Sequence, residues 1–152
     1  MNQTSHCSAL KLQPVGLEHQ QTFYMGFNQG VSAEPNTIEM SRDAAELMGV
    51  TEDMLVQCSI EYSYEKLTAL ELEPLTVEDY ETIEQNCAQI EEQLLTQVGV
   101  FYPRQVFVLF LGANGTQKVR LRSKIDTERN TSMCFFLTEA CELHIMAKTR
   151  PR

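Results

Sequence analysis

The longest amphipathic stretch of the chain follows Thr76. Apolar residues recur there at spacings of three and four, so they lie on one face of an α-helix, and acidic residues occupy the opposite face. Thr76 is a suitable N-cap because Asp79, three residues later, can close a capping box, and Gly99 marks the end of the pattern. We therefore predict one long helix over residues 76–98. Its apolar stripe consists of Tyr80, Ile83, Cys87, Ile90 and Leu94.

Most of the remaining chain has the alternating or β-branched pattern that is typical of strands. A second, short helix over residues 42–48 is expected after the N-cap Ser41, and it ends at Gly49, which accepts left-handed backbone. The predicted fold is therefore mainly β with two helices, an α+β class. The predicted strands cover residues 9–13, 21–27, 37–40, 54–61, 67–73, 98–102, 105–111, 117–125, 133–138 and 142–147.

The strand that follows Asn114-Gly115 carries the most distinctive surface feature. Asn-Gly is a strong hairpin signal, and the next strand alternates with period two, so that its charged residues share one face. We take this face as a candidate binding site for an acidic protein or for anionic lipid headgroups. An alternative of equal weight is that the cations protect an edge strand from unwanted pairing. This face, the basic ribbon, consists of Lys118, Arg120, Arg122 and Lys124.

The charge of the 152-residue chain is unevenly distributed around a net value of −9. Residues 1–103 hold 17 acidic and 3 basic residues, whereas residues 104–152 hold 4 acidic and 9 basic residues. This asymmetry indicates two units with different surfaces, and it argues against a nucleic-acid-binding protein, which is normally basic overall. No apolar run is long enough for a membrane helix, and residues 1–6 lack the features of a secretory signal. We therefore expect an intracellular chain that is not transmembrane.

No pattern of catalytic or metal-binding residues stands out in the sequence. The phosphate-binding loop of ATPases is missing, no G-x-S-x-G motif accompanies the three histidines, and the five cysteines form no C-x-x-C pair. In a reducing compartment such cysteines are best interpreted as small hydrophobic residues. We therefore predict a binding module that has no catalytic residues, no cofactor and no metal.

Four segments of the chain carry a family resemblance. Residues 40–56, MSRDAAELMGVTEDMLV, are similar to the strand–helix–strand unit of double-psi barrels. Residues 70–81, LELEPLTVEDYE, together with residues 93–103 and 148–150, resemble the N-terminal domain of peroxin-1, a family of AAA ATPases of peroxisome biogenesis. Residues 70–81 are similar to the junction between the lobes and the start of the long helix in that family, and the whole resemblance spans about residues 8–150.

The resemblance implies a domain of two lobes. The N-lobe, residues 8–73, is expected to be a partial double-psi β-barrel that lacks its first strands. The C-lobe, residues 75–150, is expected to be a small β-barrel in which helix 76–98 accompanies antiparallel strands. In such domains the cleft between the lobes is the expected docking place, and we expect the basic ribbon to take part in docking.

The resemblance also implies a cellular role. Domains of this family sit on an AAA ring and recruit adaptors or substrates. The ring, built with peroxin-6, extracts import receptors from the peroxisomal membrane so that matrix protein import continues. The expected location is therefore the cytosol, peripheral to the peroxisomal membrane, and the expected partner is an adaptor or a peroxin-6-containing complex.

The ATPase modules of the family have no counterpart in this sequence, so we expect no motor activity from it. Two other functions remain open. One is a free-standing module that binds anionic phospholipids through the basic ribbon. The other is a double-psi-barrel enzyme, although the Gly-Ser bond that the self-processing aspartate decarboxylases need is absent.

Overall fold

In the computed structural model the strands form three small sheets with helices between them. The structure describes residues 9–15, 22–26, 37–52, 54–61, 64–125 and 134–149. The strands are β1 (Ala9–Pro14), β2 (Phe23–Gly26), β3 (Val56–Glu61), β4 (Tyr64–Lys66), β5 (Ala69–Pro74), β6 (Val100–Phe101), β7 (Val106–Leu111), β8 (Gln117–Lys124), β9 (Cys134–Phe136) and β10 (Glu142–Ile145). The helices are α1 (Arg42–Met48), α2 (Val77–Gln85) and α3 (Ile90–Gln97), with 3₁₀ turns at Cys87–Gln89 and Ala113–Gly115.

The prediction of a mainly β, α+β fold is confirmed. Across the described residues the three sheets do not close into a barrel. The double-psi barrel and the small C-lobe barrel therefore stay predictions.

The first sheet is antiparallel, in the order β2-β1-β3, and α1 follows β2 along the chain. The helix begins as predicted, since the Ser41 side chain accepts a hydrogen bond from the Ala44 N–H at 3.1 Å, and it ends at Gly49 with φ of 71°. The strand predicted over residues 37–40 is wrong, because no described strand pairs with this largely exposed stretch. β-Branched residues favour a strand only where a neighbouring strand packs against them.

The largest sheet has the order β10-β5-β8-β7 and forms one wall of the main core. β7 and β8 form the hairpin predicted around Asn114-Gly115, whereas β10 pairs in parallel with β5. Val119, Leu121 and Ser123 of β8 are buried and the residues between them are exposed, so the predicted alternation is confirmed. α2 and α3 pack on the buried face of this sheet through Ile83, Ile90 and Leu94.

The segment predicted as one helix over residues 76–98 is divided in two. Thr76 caps α2 and forms the predicted capping box with Asp79, but α2 ends at Gln85 and α3 begins only at Ile90. The prediction of a continuous helix is therefore wrong.

Asn86 interrupts the helix. Its backbone leaves the helical region, with φ of −126° and ψ of 26°, and its side-chain amide donates to the Thr82 carbonyl at 2.8 Å and to Gln117 Oε1 at 2.6 Å. The 3₁₀ turn that follows changes the direction in which the next side chains point. Cys87, which the predicted stripe placed in the core, is consequently exposed.

The third sheet, in the order β4-β9-β6, combines one strand from before Pro74 with two from after it. β4, which no sequence pattern indicated, pairs in parallel with β9. Tyr24 of β2 contacts Tyr102 edge to face, with ring centroids 5.8 Å apart. A second core cluster therefore joins the first sheet to β6 and β9; it consists of Ala9, Leu12, Phe23, Tyr24, Val100, Tyr102 and Cys134.

The boundary predicted near Pro74, with lobes at 8–73 and 75–150, stays a proposal. β5, at the end of the proposed N-lobe, pairs with β8 and β10 of the proposed C-lobe. The N-lobe is the part of the chain before Pro74, and the C-lobe is the part after it.

Candidate partner-binding site

The basic ribbon lies on a central strand. β8 is hydrogen-bonded to β5 on one side and to β7 on the other. The interpretation of these cations as protection for an edge strand is therefore wrong, because β8 has no free edge along most of its length.

Three cations of the basic ribbon are paired with carboxylates of the same chain. Lys118 Nζ lies 2.9 Å from Asp43 Oδ1, and Arg122 NH1 lies 3.2 Å from Glu73 Oε1. The Arg120 guanidinium is 3.8 Å from a carboxylate oxygen of Asp79. The pairs of Lys118 and Arg122 are partly exposed, and each pair of this kind contributes only about 0–1 kcal/mol to stability. The pairs nevertheless reduce the positive field that an acidic partner or a lipid surface would meet.

Lys124, at the end of the basic ribbon, lies opposite Glu71 in the sheet register and forms no ion pair within the described part of the chain. It borders an open groove of about 1420 Å³, next to Arg104 and His144. Arg104 has a positive φ of 63° and donates its backbone N–H to the Ser123 carbonyl. The groove also contains carboxylates, so its charge is mixed.

A second, narrower cleft separates β2 and α1 of the N-lobe from β7 and α3 of the C-lobe. Its volume is about 490 Å³, within the range of ordinary ligand sites. Three methionines from the N-lobe side, Met25, Met40 and Met48, contribute flexible apolar surface that adapts to different partners. Among the described lining residues, Glu39 is the only carboxylate, and lysine and arginine are absent.

The two tyrosines of the cleft wall are held in the neutral form. Burial raises the pKa of the Tyr102 phenol to about 12. The pKa of Tyr24 is also raised, mainly by burial and further by the charges of Glu61 and Cys134. Near neutral pH these side chains therefore act as hydrogen-bonding and packing groups.

The floor of the cleft is the outer edge of β7. The Gln105 carbonyl accepts the Ser123 N–H, so by the alternation of an antiparallel ladder residues 107, 109 and 111 bond β8, and the backbone groups of residues 106, 108 and 110 point away from it. Phe110, one of these, bonds the side-chain amide of Gln97 through both its N–H and its carbonyl, at 2.9 and 2.7 Å. Val106 and Val108 present the same groups towards the cleft, and no partner for them exists among the residues that the structure describes.

The structure does not bring the basic ribbon into this cleft. No ribbon cation belongs to the described lining, and Lys118 approaches it only through its ion pair with Asp43 of α1. No sequence pattern pointed to Gln97 or to the open edge of β7, since a nearly continuous apolar strand has the same pattern whichever edge is free.

None of the helices in the described part of the chain combines the length and the hydrophobicity that spanning a bilayer requires. Within the same residues, no cluster of three or more metal-ligating side chains occurs.

A family model described as "Peroxisome biogenesis factor 1, N-terminal" matches residues 68–147, just over half of the chain. The chain belongs to this family. The resemblance to the peroxin-1 N-terminal domain is thereby confirmed, and the match is to an N-terminal domain and not to an ATPase module.

Curated relatives agree with the family. The chain is 28% identical over 131 residues to "Peroxisomal ATPase PEX1" of Komagataella phaffii. The matching region covers 84% of this chain and 12% of the relative. The protein of the same name from Komagataella pastoris matches at 28% over 131 residues, 84% of this chain and 11% of its own length. The protein of the same name from Dictyostelium discoideum is 28% identical over 108 residues. This match covers 68% of the chain and 9% of the relative. The chain thus spans about a tenth of the length of these peroxisomal ATPases.

Proposed function

We propose that this chain is the adaptor- and substrate-binding N-terminal module of a peroxisomal AAA ATPase that acts in peroxisome biogenesis. The observation that carries the proposal is the family match over residues 68–147. In this role the module recruits a protein adaptor or import receptor to a ring that also contains peroxin-6. The ring then recycles the receptor, and matrix protein import continues.

The site chemistry supports binding rather than catalysis. The cleft between the lobes is lined by methionines, aromatic residues and neutral amides, with an open strand edge at its floor. Burial raises the pKa of the Cys134 thiol to about 11, and it raises that of Cys141 as well. Neither buried thiol is therefore available as a nucleophilic thiolate near neutral pH.

The proposed location is the cytosolic face of the peroxisome, peripheral to its membrane. The basic ribbon has a secondary part in this proposal. Its Lys124 end, which has no ion pair in the described chain, steers an acidic partner towards the module.

Domain replacement in Komagataella phaffii tests the proposed function. The matching N-terminal region of its peroxisomal ATPase is replaced by this chain, and import of a fluorescent matrix reporter is measured against a deletion of the same region. We expect the replacement to restore import and the deletion to abolish it. Equal import defects in the two strains, at equal ATPase levels and equal ring assembly, would contradict the proposal.

Binding to anionic phospholipids is a second candidate function. It is favoured by Arg104 and Lys124, which border the open groove and form no ion pair within the described chain. It predicts that phosphatidylserine vesicles sediment the chain at low salt and release it at high salt. The variant Arg104→Ser/Lys124→Ser should lose this binding. The matched control is Lys118→Ser, which removes a cation already paired with Asp43 and should retain it. Equal binding by both variants would exclude the groove as the lipid site.

A further inference from the structure

The open part of the β7 edge consists of four main-chain groups. The N–H and carbonyl of Val106 and of Val108 point into the cleft, and within the described chain they meet no donor or acceptor. Unpaired strand edges are templates for another strand, and native proteins normally cover or shorten them. This edge is flanked by β2, α1 and α3, so a strand that reaches it must enter the cleft.

At Phe110, the next outward-facing position of the same edge, a side-chain amide takes the place of a neighbouring strand. Gln97 Nε2 donates to the Phe110 carbonyl, and Gln97 Oε1 accepts from the Phe110 N–H. An added antiparallel strand would make the same pair of bonds through the N–H and the carbonyl of one of its residues. Gln93 Oε1 accepts a further bond from Gln97 Nε2 at 2.7 Å, which fixes the orientation of the amide.

The residues that line the cleft indicate which side chains a bound peptide strand would carry. An added strand directs alternate side chains to opposite sides. On one side they meet the methionines of β2 and α1, which favour apolar residues. Glu39 gives the described lining its charge, so a lysine or arginine of the occupant is complementary to the cleft and an acidic residue is not.

We propose that β7 binds an extended peptide segment of a partner protein as an additional strand, through the main chain of Val106 and Val108. The peptide has apolar residues at alternate positions and a basic residue near Glu39. This inference rests on the proposed function and specifies how the adaptor or substrate docks. At about 3.3 Å per residue, the open edge pairs with roughly three to four peptide residues, and Gln97 marks its end.

A peptide array provides the probe. Capped hexapeptides that alternate valine and threonine carry one lysine at each position in turn, and a matched set carries glutamate instead. Binding to the purified chain is followed by the amide NMR resonances of Val106 and Val108. We expect saturable shifts with the lysine set and weaker ones with the glutamate set, a difference that Glu39→Gln removes. No saturable binding up to about 1 mM would overturn the inference.

Methylation of peptide nitrogens tests strand pairing without altering the chain. In an added strand every second peptide N–H faces β7. N-methylation should therefore weaken the best peptide by about tenfold at alternate positions and leave the intervening positions nearly unchanged. Sensitivity without this period of two would exclude strand addition.

The variant Val108→Pro removes the N–H that faces the cleft and spares the bonds of β7 to β8, because Arg120, which lies opposite Val108, bonds Asp79 and Leu75 instead. Val108→Ala is the matched control, since it loses the side chain and keeps the N–H. We expect Val108→Pro alone to lose about tenfold in peptide affinity. Unchanged amide resonances of β8 verify the fold, and equal affinities of the two variants would overturn the inference.

The same variants separate this inference from the proposed function. If the domain replacement restores import and Val108→Pro restores it as well as Val108→Ala, strand addition fails while the docking role stands. If the replacement without substitutions restores nothing, the proposed function fails whatever the peptides show.

Discussion

The carboxylate of Asp79 accepts a hydrogen bond from the backbone of Arg120, at the point where the pairing of β8 with β5 ends. Asp79 Oδ1 accepts the Arg120 N–H at 3.1 Å, while Oδ2 accepts both the N–H and the hydroxyl of Thr76. β5 ends at Pro74, and the Leu75 N–H bonds the Arg120 carbonyl. One buried carboxylate therefore caps a helix and replaces a strand partner at the junction of the proposed lobes.

The variant Asp79→Ala is expected to lose about 2–4 kcal/mol of the free energy of unfolding, because it removes the capping box and leaves the Arg120 N–H without its acceptor. Asp79→Asn should lose less, since it keeps an acceptor oxygen. Urea unfolding measures both. The matched control is Asp43→Ala, which removes only an exposed ion pair and should lose at most about 1 kcal/mol. Equal losses for Asp79→Ala and Asp43→Ala would refute the role of Asp79.

The break at Asn86 makes a specific prediction about two positions of the predicted apolar stripe. Ile90→Asp places a charge without a partner in the main core, where Ile90 is 4% exposed, and should unfold the C-lobe. Cys87→Asp is the control, because Cys87 is exposed and the substitution should change stability by no more than about 0.5 kcal/mol. Circular dichroism and urea unfolding distinguish the outcomes, and comparable destabilisation of both variants would support the uninterrupted helix.

Local features of the fold could be predicted from the sequence. Ser41 and Gly49 bound α1, and Thr76 with Asp79 starts α2, because caps are set by residues within three or four positions of one another. The Asn114-Gly115 hairpin and the alternation of β8 have the same local origin.

Features that depend on distant residues could not be predicted. The helix breaks where Asn86 bonds Gln117, 31 residues away in the chain. The basic ribbon has the charge pattern of a free cationic surface, but the pairing of its Lys118 with Asp43 depends on a contact across 75 residues. The open edge of β7 likewise follows from the order of strands in the sheet, which no local pattern encodes.

Stability at alkaline pH should depend on Cys134. Burial, reinforced by the charge of Glu61, raises the pKa of the Cys134 thiol from 9.0 to about 11. Below pH 9 both folded and unfolded states carry the thiol, and the contribution to stability is complete. Between about pH 9 and 11 the unfolded state alone loses the proton, so the free energy of unfolding falls as the pH rises.

The variant Cys134→Ala removes this titration, and the slope of unfolding free energy against pH should become shallower between about pH 9 and 11. Urea unfolding under reducing conditions at intervals of pH measures the slope. Cys58→Ala, at an exposed position, is the control and should keep the wild-type slope. A wild-type slope in Cys134→Ala would show that other groups cause the alkaline loss.

The ion pair of Lys118 with Asp43 should tie α1 to the C-lobe sheet and thereby hold one wall of the cleft. A double-mutant cycle with Lys118→Met and Asp43→Asn keeps the size of both side chains and isolates the interaction between them. We expect a coupling energy between about 0 and 1 kcal/mol at low salt that disappears near 1 M salt, because both side chains are partly exposed.

Amide hydrogen exchange of α1 tests whether the ion pair between Lys118 and Asp43 restrains this wall of the cleft. If the pair restrains α1, amides of that helix should exchange severalfold faster in Lys118→Met than in the wild type, while amides of β7 and β8 keep their protection. Arg122→Met, which breaks the pair with Glu73 elsewhere on β8, is the matched control and should leave α1 unchanged. Faster exchange of α1 in both variants would mean that the sheet as a whole has loosened. Faster exchange in Lys118→Met alone would mean that this pair sets how easily the methionine-lined wall opens to a partner.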